Sequence, residues 1–206
     1  LMEFMGLHLP GASFVTPNTP LRTALTELAT KRALEITRLG NYFTPACQIL
    51  SEKAFVNGIV GLMATGGSTN LVLHLPAMAK AAGIKLELSD FNDISSVTPL
   101  MAKIYPNGLA DVNHFHAAGG LNYMIAELLE AGYLHNDVQT IMGLGLKTYT
   151  KEPKLIDGKI EFVPSSTKSH NEKILRPVSD PFQKSGGIKR LDGNLGSCII
   201  KISSVP

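Results

Sequence analysis

The stretch EKAFVNGIVGLMATGGSTNLVLHLPAMAKAAG, residues 52–83, decides the predicted fold. Apolar residues recur at helical spacing on both sides of residues 65–70, which predicts one helix over 52–64 and a second over 71–82. Gly83 ends the second helix, because glycine is common just after the last helical residue. Two glycines, a serine, two threonines and an asparagine therefore lie in the turn between two apolar helices.

The flanking sequence alternates between helix and strand patterns. Pro20 follows a capping Asn-Thr pair and predicts a helix that continues to Leu39. The other predicted elements are strands over 84–88 and 100–105, a short helix over 91–97, a short helix from Asp111, a helix over 121–131, a helical turn after Asn136 and a strand over 199–202. This mixture predicts the α/β fold class.

Charge and composition change in the last quarter of the chain. Residues 1–150 carry 9 basic and 11 acidic side chains, whereas residues 151–206 carry 10 basic and 6 acidic ones. Residues 151–180 are rich in Lys, Ser and Pro with little helical periodicity, as in a long connection or an irregular hairpin. We therefore expect a domain boundary near residues 165–175.

Composition excludes several classes of protein. Of the 206 residues, 44% are hydrophobic and 17% charged, which excludes a disordered chain. The net charge of +2 lacks the basic surplus typical of nucleic-acid binding, and no apolar run reaches the roughly 18 residues of a membrane span. Cys47 and Cys198 are too few and too far apart for a disulfide scaffold. We expect a cytoplasmic protein with neither a nucleic-acid nor a membrane partner.

The two ends of the sequence resemble cut ends. The chain opens in an amphipathic stretch at Leu1 and stops just after the strand pattern over 199–202. We therefore expect a piece of a longer polypeptide, with part of the active site outside it.

The glycine-rich turn, residues 65–70, is the segment most typical of a ligand-binding site. Its glycines let backbone N–H groups approach a ligand, and the start of the following helix offers unpaired donors with a partial positive charge. Ser68, Thr69 and Asn70 would then contact a phosphate or a carboxylate. The alternative is a plain turn between two helices in which Ser68 or Thr69 caps the second helix. The string matches neither the dinucleotide fingerprint nor the phosphate-binding P-loop.

His114 and His116 lie two residues apart in a polar segment that begins at Asp111. On a helix this spacing turns the two rings to different faces, whereas in a loop both could reach one substrate or metal. A substrate contact by one imidazole, a metal site and a purely structural role all remain open, although no third ligand lies at a recognisable interval. His74, one turn beyond Asn70, is a minor candidate that a buried position would also explain.

Five strings resemble one enzyme family. They are FVNGIV at 55–60, ATGGSTN at 64–70, YPNGLADVNHFHAAGG at 105–120, LRPV at 175–178 and GNLG at 193–196. In order and distance they are similar to those of the dihydroxy-acid and phosphogluconate dehydratase family, and the resemblance covers nearly the whole chain. The string NHFHAAGG resembles the 6-phosphogluconate dehydratase branch.

The resemblance implies an iron–sulfur dependent lyase that removes water from 6-phosphogluconate, giving 2-keto-3-deoxy-6-phosphogluconate in the Entner–Doudoroff pathway. It implies a homodimer with a [4Fe-4S] cluster and is compatible with a bound divalent cation as well. Residues 1–165 would be the later part of an N-terminal α/β domain, and residues 166–206 a linker and the first strands of a β-rich C-terminal domain.

The resemblance also divides the site between this chain and sequence outside it. Ser68, Thr69, Asn70, His114 and His116 are the substrate-binding candidates, whereas the cluster ligands and the catalytic base would lie outside residues 1–206. Neither Cys47 nor Cys198 lies in a cluster-binding context of the family. We expect this chain alone to be inactive and to hold no metal. The alternatives are a dihydroxy-acid dehydratase of branched-chain amino-acid biosynthesis, and a segment that serves only as scaffold or dimer interface.

Overall fold

One buried helix, Glu52–Thr65, organises the fold in the computed structural model, which describes residues 1–204. Nearly all of its residues from Ala54 to Ala64 are buried. Val60 and Ala64 belong to one hydrophobic cluster, whereas Phe55 and Met63 belong to another. Because both faces are covered, this segment is apolar all round rather than along a single stripe.

The described residues form seven α-helices and three two-stranded sheets. The helices are α1 (Pro20–Glu35), α2 (Ala46–Ile49), α3 (Glu52–Thr65), α4 (Asn70–Ala81), α5 (Leu88–Val97), α6 (Val112–Ala117) and α7 (Gly120–Glu130). The strands are β1 (Gln139–Thr140), β2 (Gly143–Leu144), β3 (Lys151–Ile156), β4 (Lys159–Pro164), β5 (Ile188–Gly193) and β6 (Gly196–Lys201). Each strand pairs antiparallel with its immediate neighbour in sequence. The mixture of helix and strand confirms the predicted α/β class.

The helices that the sequence predicted are present. α3 and α4 match the two helices predicted within residues 52–83 and are separated by residues 66–69. The helices that begin near Pro20, Asp111 and Gly120 are also found. α1 ends at Glu35, four residues before the predicted end at Leu39. None of the helices within residues 1–204 is both long and apolar enough to cross a bilayer.

Three short predictions are wrong. Residues 84–88 form no strand, because Asp90 accepts a hydrogen bond from the Glu87 N–H at 2.8 Å and so starts α5 at Leu88. Residues 100–105 are extended but make only isolated bridges, at Leu100, Ala102 and Ile104. The segment after Asn136 contains the paired strands β1 and β2 instead of a helical turn.

The last quarter of the chain contains two hairpins. β3 and β4 form a hairpin over 151–164, where the sequence predicted a long connection or an irregular hairpin, and the observed hairpin is regular. Beyond it, Leu175 and Ile188 are buried in the hydrophobic clusters that α3 joins. β5 and β6 then form the second hairpin, which confirms the strand predicted over 199–202. The domain boundary near 165–175 stays a prediction.

Gly66 is the point at which four parts of the chain meet. It ends α3 in the left-handed conformation, with a φ of 62°. A Cβ at this position would lie 2.3 Å from the Asn107 amide nitrogen, 3.0 Å from Leu100 and 3.2 Å from the Ser203 hydroxyl. Only glycine satisfies both the backbone conformation and the lack of space.

We predict that Gly66→Ala destabilises the chain much more than Gly83→Ala. Both glycines have positive φ, so alanine costs about 1 kcal/mol or more of left-handed strain at either site. Nothing lies within 4 Å of a Cβ at Gly83, whereas the crowding at Gly66 adds about 1–3 kcal/mol. Urea unfolding of the two variants measures the difference. Equal losses would mean that the surroundings of Gly66 yield freely.

Candidate functional site: a cavity at the glycine-rich turn

A cavity of about 780 Å³ lies beside the glycine-rich turn. Its wall is built from the turn and the end of α3, the first residues of the chain, the segment 104–106, α6 and the end of β6. Most of the lining side chains are apolar, and Asp and Glu are absent from the described wall. A concave, largely apolar site with a few polar groups is typical of small-molecule binding.

Local hydrogen bonds hold the glycine-rich turn at the cavity wall. The Gly67 N–H donates to the Leu62 carbonyl at 3.0 Å, which satisfies the end of α3. The Thr65 hydroxyl donates to the Gly61 carbonyl at 2.7 Å, and the Ser68 hydroxyl accepts from the Asn70 N–H at 3.2 Å. The Thr69 side chain makes no capping hydrogen bond. The turn therefore exposes polar groups to the cavity while its own backbone is fixed.

A buried carboxylate shapes the wall contributed by the first residues of the chain. Glu3 is 1% exposed and accepts hydrogen bonds from the N–H groups of Gly11, at 2.8 Å, and Ser13, at 2.9 Å. These bonds fold the segment so that Ser13 and Phe14 line the cavity. Phe14 also packs edge-on against Phe115 of α6, with ring centroids 5.8 Å apart.

Asp111 fixes the start of α6 on the other wall. Its carboxylate accepts hydrogen bonds from the N–H groups of His114, at 3.0 Å, and Asn113, at 2.9 Å. These bonds hold the pKa of Asp111 below its usual range. The capped helix presents Val112 and Phe115 to the cavity, next to Tyr105 and Pro106.

The structure brings together some of the predicted site residues and not others. Ser68 and Thr69 line the cavity, whereas Asn70 is exposed at the first turn of α4. The His114 ring contacts the Asp111 carboxylate at 2.8 Å as part of the helix cap and is outside the cavity wall. His116 is half-buried away from the cavity, and burial lowers its pKa. His74 is exposed on α4 and also lies outside the cavity wall.

Lys201 is a cavity residue that the sequence reasoning did not single out. It is the only lining residue in the described part of the chain with a formally charged side chain. Partial burial lowers its pKa. A signal was present in the sequence, since Lys201 shares a strand face with Ile199, which packs against the core.

The residues present do not fit an iron–sulfur cluster. Such clusters are held by several cysteine thiolates, and the two cysteines, Cys47 and Cys198, are both exposed. Within residues 1–204 no three His, Cys, Asp or Glu side chains converge in a way that could hold a metal ion. Ligands for a cluster would have to come from outside this chain.

Comparison with known proteins gives one consistent result. The family model for the N-terminal region of dihydroxy-acid/6-phosphogluconate dehydratases matches residues 1–149. The chain is 57% identical to a phosphogluconate dehydratase of Rhizobium meliloti and 50% identical to one of Escherichia coli K12. It is 36% identical to a dihydroxy-acid dehydratase of Caldanaerobacter subterraneus.

Each of these alignments covers 100% of the chain but only 34% of the relative. The chain thus spans about a third of the length of the curated relatives that it matches. The family model and the relatives together confirm the resemblance read from the five sequence strings. The chain belongs to the dihydroxy-acid/6-phosphogluconate dehydratase family, and residues 1–149 carry the match to its N-terminal region.

Proposed function

We propose that this chain is part of a dehydratase that converts 6-phosphogluconate into 2-keto-3-deoxy-6-phosphogluconate, a step of the Entner–Doudoroff pathway. The observation that carries the proposal is the difference in identity between the two kinds of relative. Relatives named phosphogluconate dehydratase reach 47–57% identity over the whole chain, whereas a relative named dihydroxy-acid dehydratase reaches 36%.

The chemistry of the cavity supports an anionic substrate. Its wall combines an ammonium group, at Lys201, with the hydroxyls of Ser68 and Thr69 and lacks a carboxylate among the described residues. Charge-assisted hydrogen bonds from such donors are the strong interactions available to a phosphate or a carboxylate. The cavity is also large enough for a small sugar acid.

We assign this chain a binding role in the reaction. Dehydration requires an acceptor for the proton beside the substrate carboxylate and assistance to the departing hydroxide. The [4Fe-4S] cluster expected from the family would be held by residues outside this chain. The catalytic base would also be a residue outside it. Ser68 and Thr69 are the proposed substrate contacts in the cavity wall, and Asn70, His114 and His116, which lie outside that wall, stay proposed contacts from the sequence alone. We further propose that the longer enzyme is a cytoplasmic homodimer and that a divalent cation is an optional second metal.

The first prediction from the proposed function concerns the hydroxyls of Ser68 and Thr69 in the cavity wall. In the full-length enzyme, Ser68→Ala and Thr69→Val should each raise the KM for 6-phosphogluconate about tenfold, because a hydrogen bond to a charged group is lost. The value of kcat should change little, since binding and not chemistry is affected. Ser96→Ala is the matched control, because Ser96 is exposed, lies outside the cavity wall and donates its hydroxyl hydrogen bond to the Asp93 carbonyl within α5.

The same kinetic measurement tests the histidines. If one imidazole contacts substrate, as predicted, then His114→Ala or His116→Ala raises KM. An unchanged KM with a lowered melting temperature in both histidine variants would show that both rings have a structural role. Unchanged kinetic constants in all four variants would favour the alternative in which this segment serves only as scaffold or dimer interface.

The second prediction separates the two branches of the family. The full-length enzyme should have a much higher kcat/KM for 6-phosphogluconate than for a branched 2,3-dihydroxy acid without phosphate. The physical reason is that only 6-phosphogluconate has a phosphate that the ammonium group and the hydroxyls of the cavity can bind. A preference for the branched acid in a two-substrate assay would replace the proposal by dihydroxy-acid dehydratase.

The third prediction concerns the 206-residue chain by itself. Treated with iron and sulfide under reducing conditions, it should acquire no stable iron–sulfide absorption band and should not turn over 6-phosphogluconate, because its two exposed cysteines cannot supply the ligands. The full-length enzyme, reconstituted in parallel, is the control. A stable band together with turnover by the isolated chain would contradict this division of the site.

A further inference from the structure

The β5–β6 hairpin holds its last residue at the cavity. Lys201 pairs directly opposite Ile188, which is 1% exposed in the core. Just beyond, the Ser203 N–H donates to the Gly187 carbonyl at 3.3 Å. A Cβ on Gly187 would lie only 2.9 Å from the Cα of Gly66. The end of β6 is therefore fixed against the glycine-rich turn, and Lys201 lines the cavity from an anchored backbone.

The ammonium group of Lys201 has no counter-ion in the described part of the chain. The salt bridges formed by residues 1–204 join other pairs, and none of the lining residues is Asp or Glu. A partly buried charge without a partner costs free energy, and burial accordingly lowers the pKa of this lysine. An anion in the cavity would relieve that cost and would keep the ammonium protonated.

We propose that Lys201 binds the phosphate of the substrate and thereby selects the phosphorylated sugar acid. The inference rests on the proposed function and deepens it, since it names the group that distinguishes phosphorylated from unphosphorylated acids. A phosphate monoester carries about −1.5 to −2 charges at neutral pH, and lysine is a common point-charge ligand for it.

The two ends of the substrate make phosphate the better partner than the carboxylate. In 6-phosphogluconate the carboxylate is bonded to the carbon that loses its proton, so it lies with the groups that perform the chemistry. The phosphate is at the opposite end of the six-carbon chain. A mainly apolar cavity in which Lys201 lies with the hydroxyl side chains of Ser68 and Thr69 suits this remote end.

The test compares two substrates in the full-length enzyme. Lys201→Met should raise the KM for 6-phosphogluconate about tenfold or more, and the KM for gluconate, which lacks the phosphate, should stay within about twofold. Lys201→Arg keeps the positive charge and should recover most of the affinity. Lys189→Met is the matched control, because Lys189 is exposed on the neighbouring strand and lies outside the cavity.

Binding of inorganic phosphate gives a readout that does not depend on turnover. By calorimetry, Lys201→Met should bind phosphate more weakly than the wild type, whereas Lys189→Met should bind it equally well. Melting temperatures of the variants check that the fold is kept. Removal of an unpaired charge should not lower them, which distinguishes a binding role from a structural one.

Two results would overturn the assignment. An equal rise in KM for both substrates would place Lys201 at a part of the substrate that they share, and unchanged KM and phosphate affinity would remove it from binding. The proposed function fails separately, if the wild-type enzyme does not turn over 6-phosphogluconate. In that case the phosphate titration still decides the role of Lys201.

Discussion

The close approach of four chain segments at Gly66 is the constraint on which the cavity depends. α3 ends there in a left-handed turn, and the Gly66 carbonyl accepts a hydrogen bond from the Asn107 amide at 3.3 Å. The same amide accepts one from the Ser204 hydroxyl at 2.7 Å, and Asn107 is only 9% exposed. A buried amide whose nitrogen and oxygen both have hydrogen-bond partners joins segments that lie far apart in sequence. Position 66 has no room for a side chain, so the turn, the segment at 107 and the end of β6 keep one arrangement.

This arrangement suits the cavity to the small anion that we propose as its ligand. Its donors come from rigid elements: the turn fixed by α3, and a strand end fixed by the buried Ile188. Donors that are held in place before the ligand arrives lose little entropy when it binds. The apolar surroundings, chiefly Phe14 and Phe115, lower the local dielectric and strengthen each charged contact. Under the proposed function, the chain would contribute a prepared binding surface and would leave the metal ligands to residues outside it.

The fold was predictable where local signals agree. Glycines at the helix ends, the Asp111 cap and helical periodicity placed α3, α4, α6 and α7 close to their observed bounds. The strand predictions over 84–88 and 100–105 are wrong because a strand needs a partner strand. Alternation of apolar residues does not reveal whether a partner strand is nearby. Residues 84–87 have no partner strand, whereas Leu100 and Ala102 form isolated bridges with Gln183 and Leu175. The glycine-rich turn lies at the cavity wall, and Gly66 permits the close backbone approach expected of it, whereas its role in binding stays a prediction.

The sequence by itself determined the family, the helices and the turn between α3 and α4, because these depend on neighbouring residues and on strings long enough to be specific. Only the tertiary structure decided which side chains share the cavity. It brought Lys201 beside a turn more than a hundred residues earlier in the chain, and it left His114 in a helix cap with Asp111. The physical reason is that a cavity is made by the packing of distant segments, which depends on buried contacts such as those at Gly66 and Ile188 and not on local propensity.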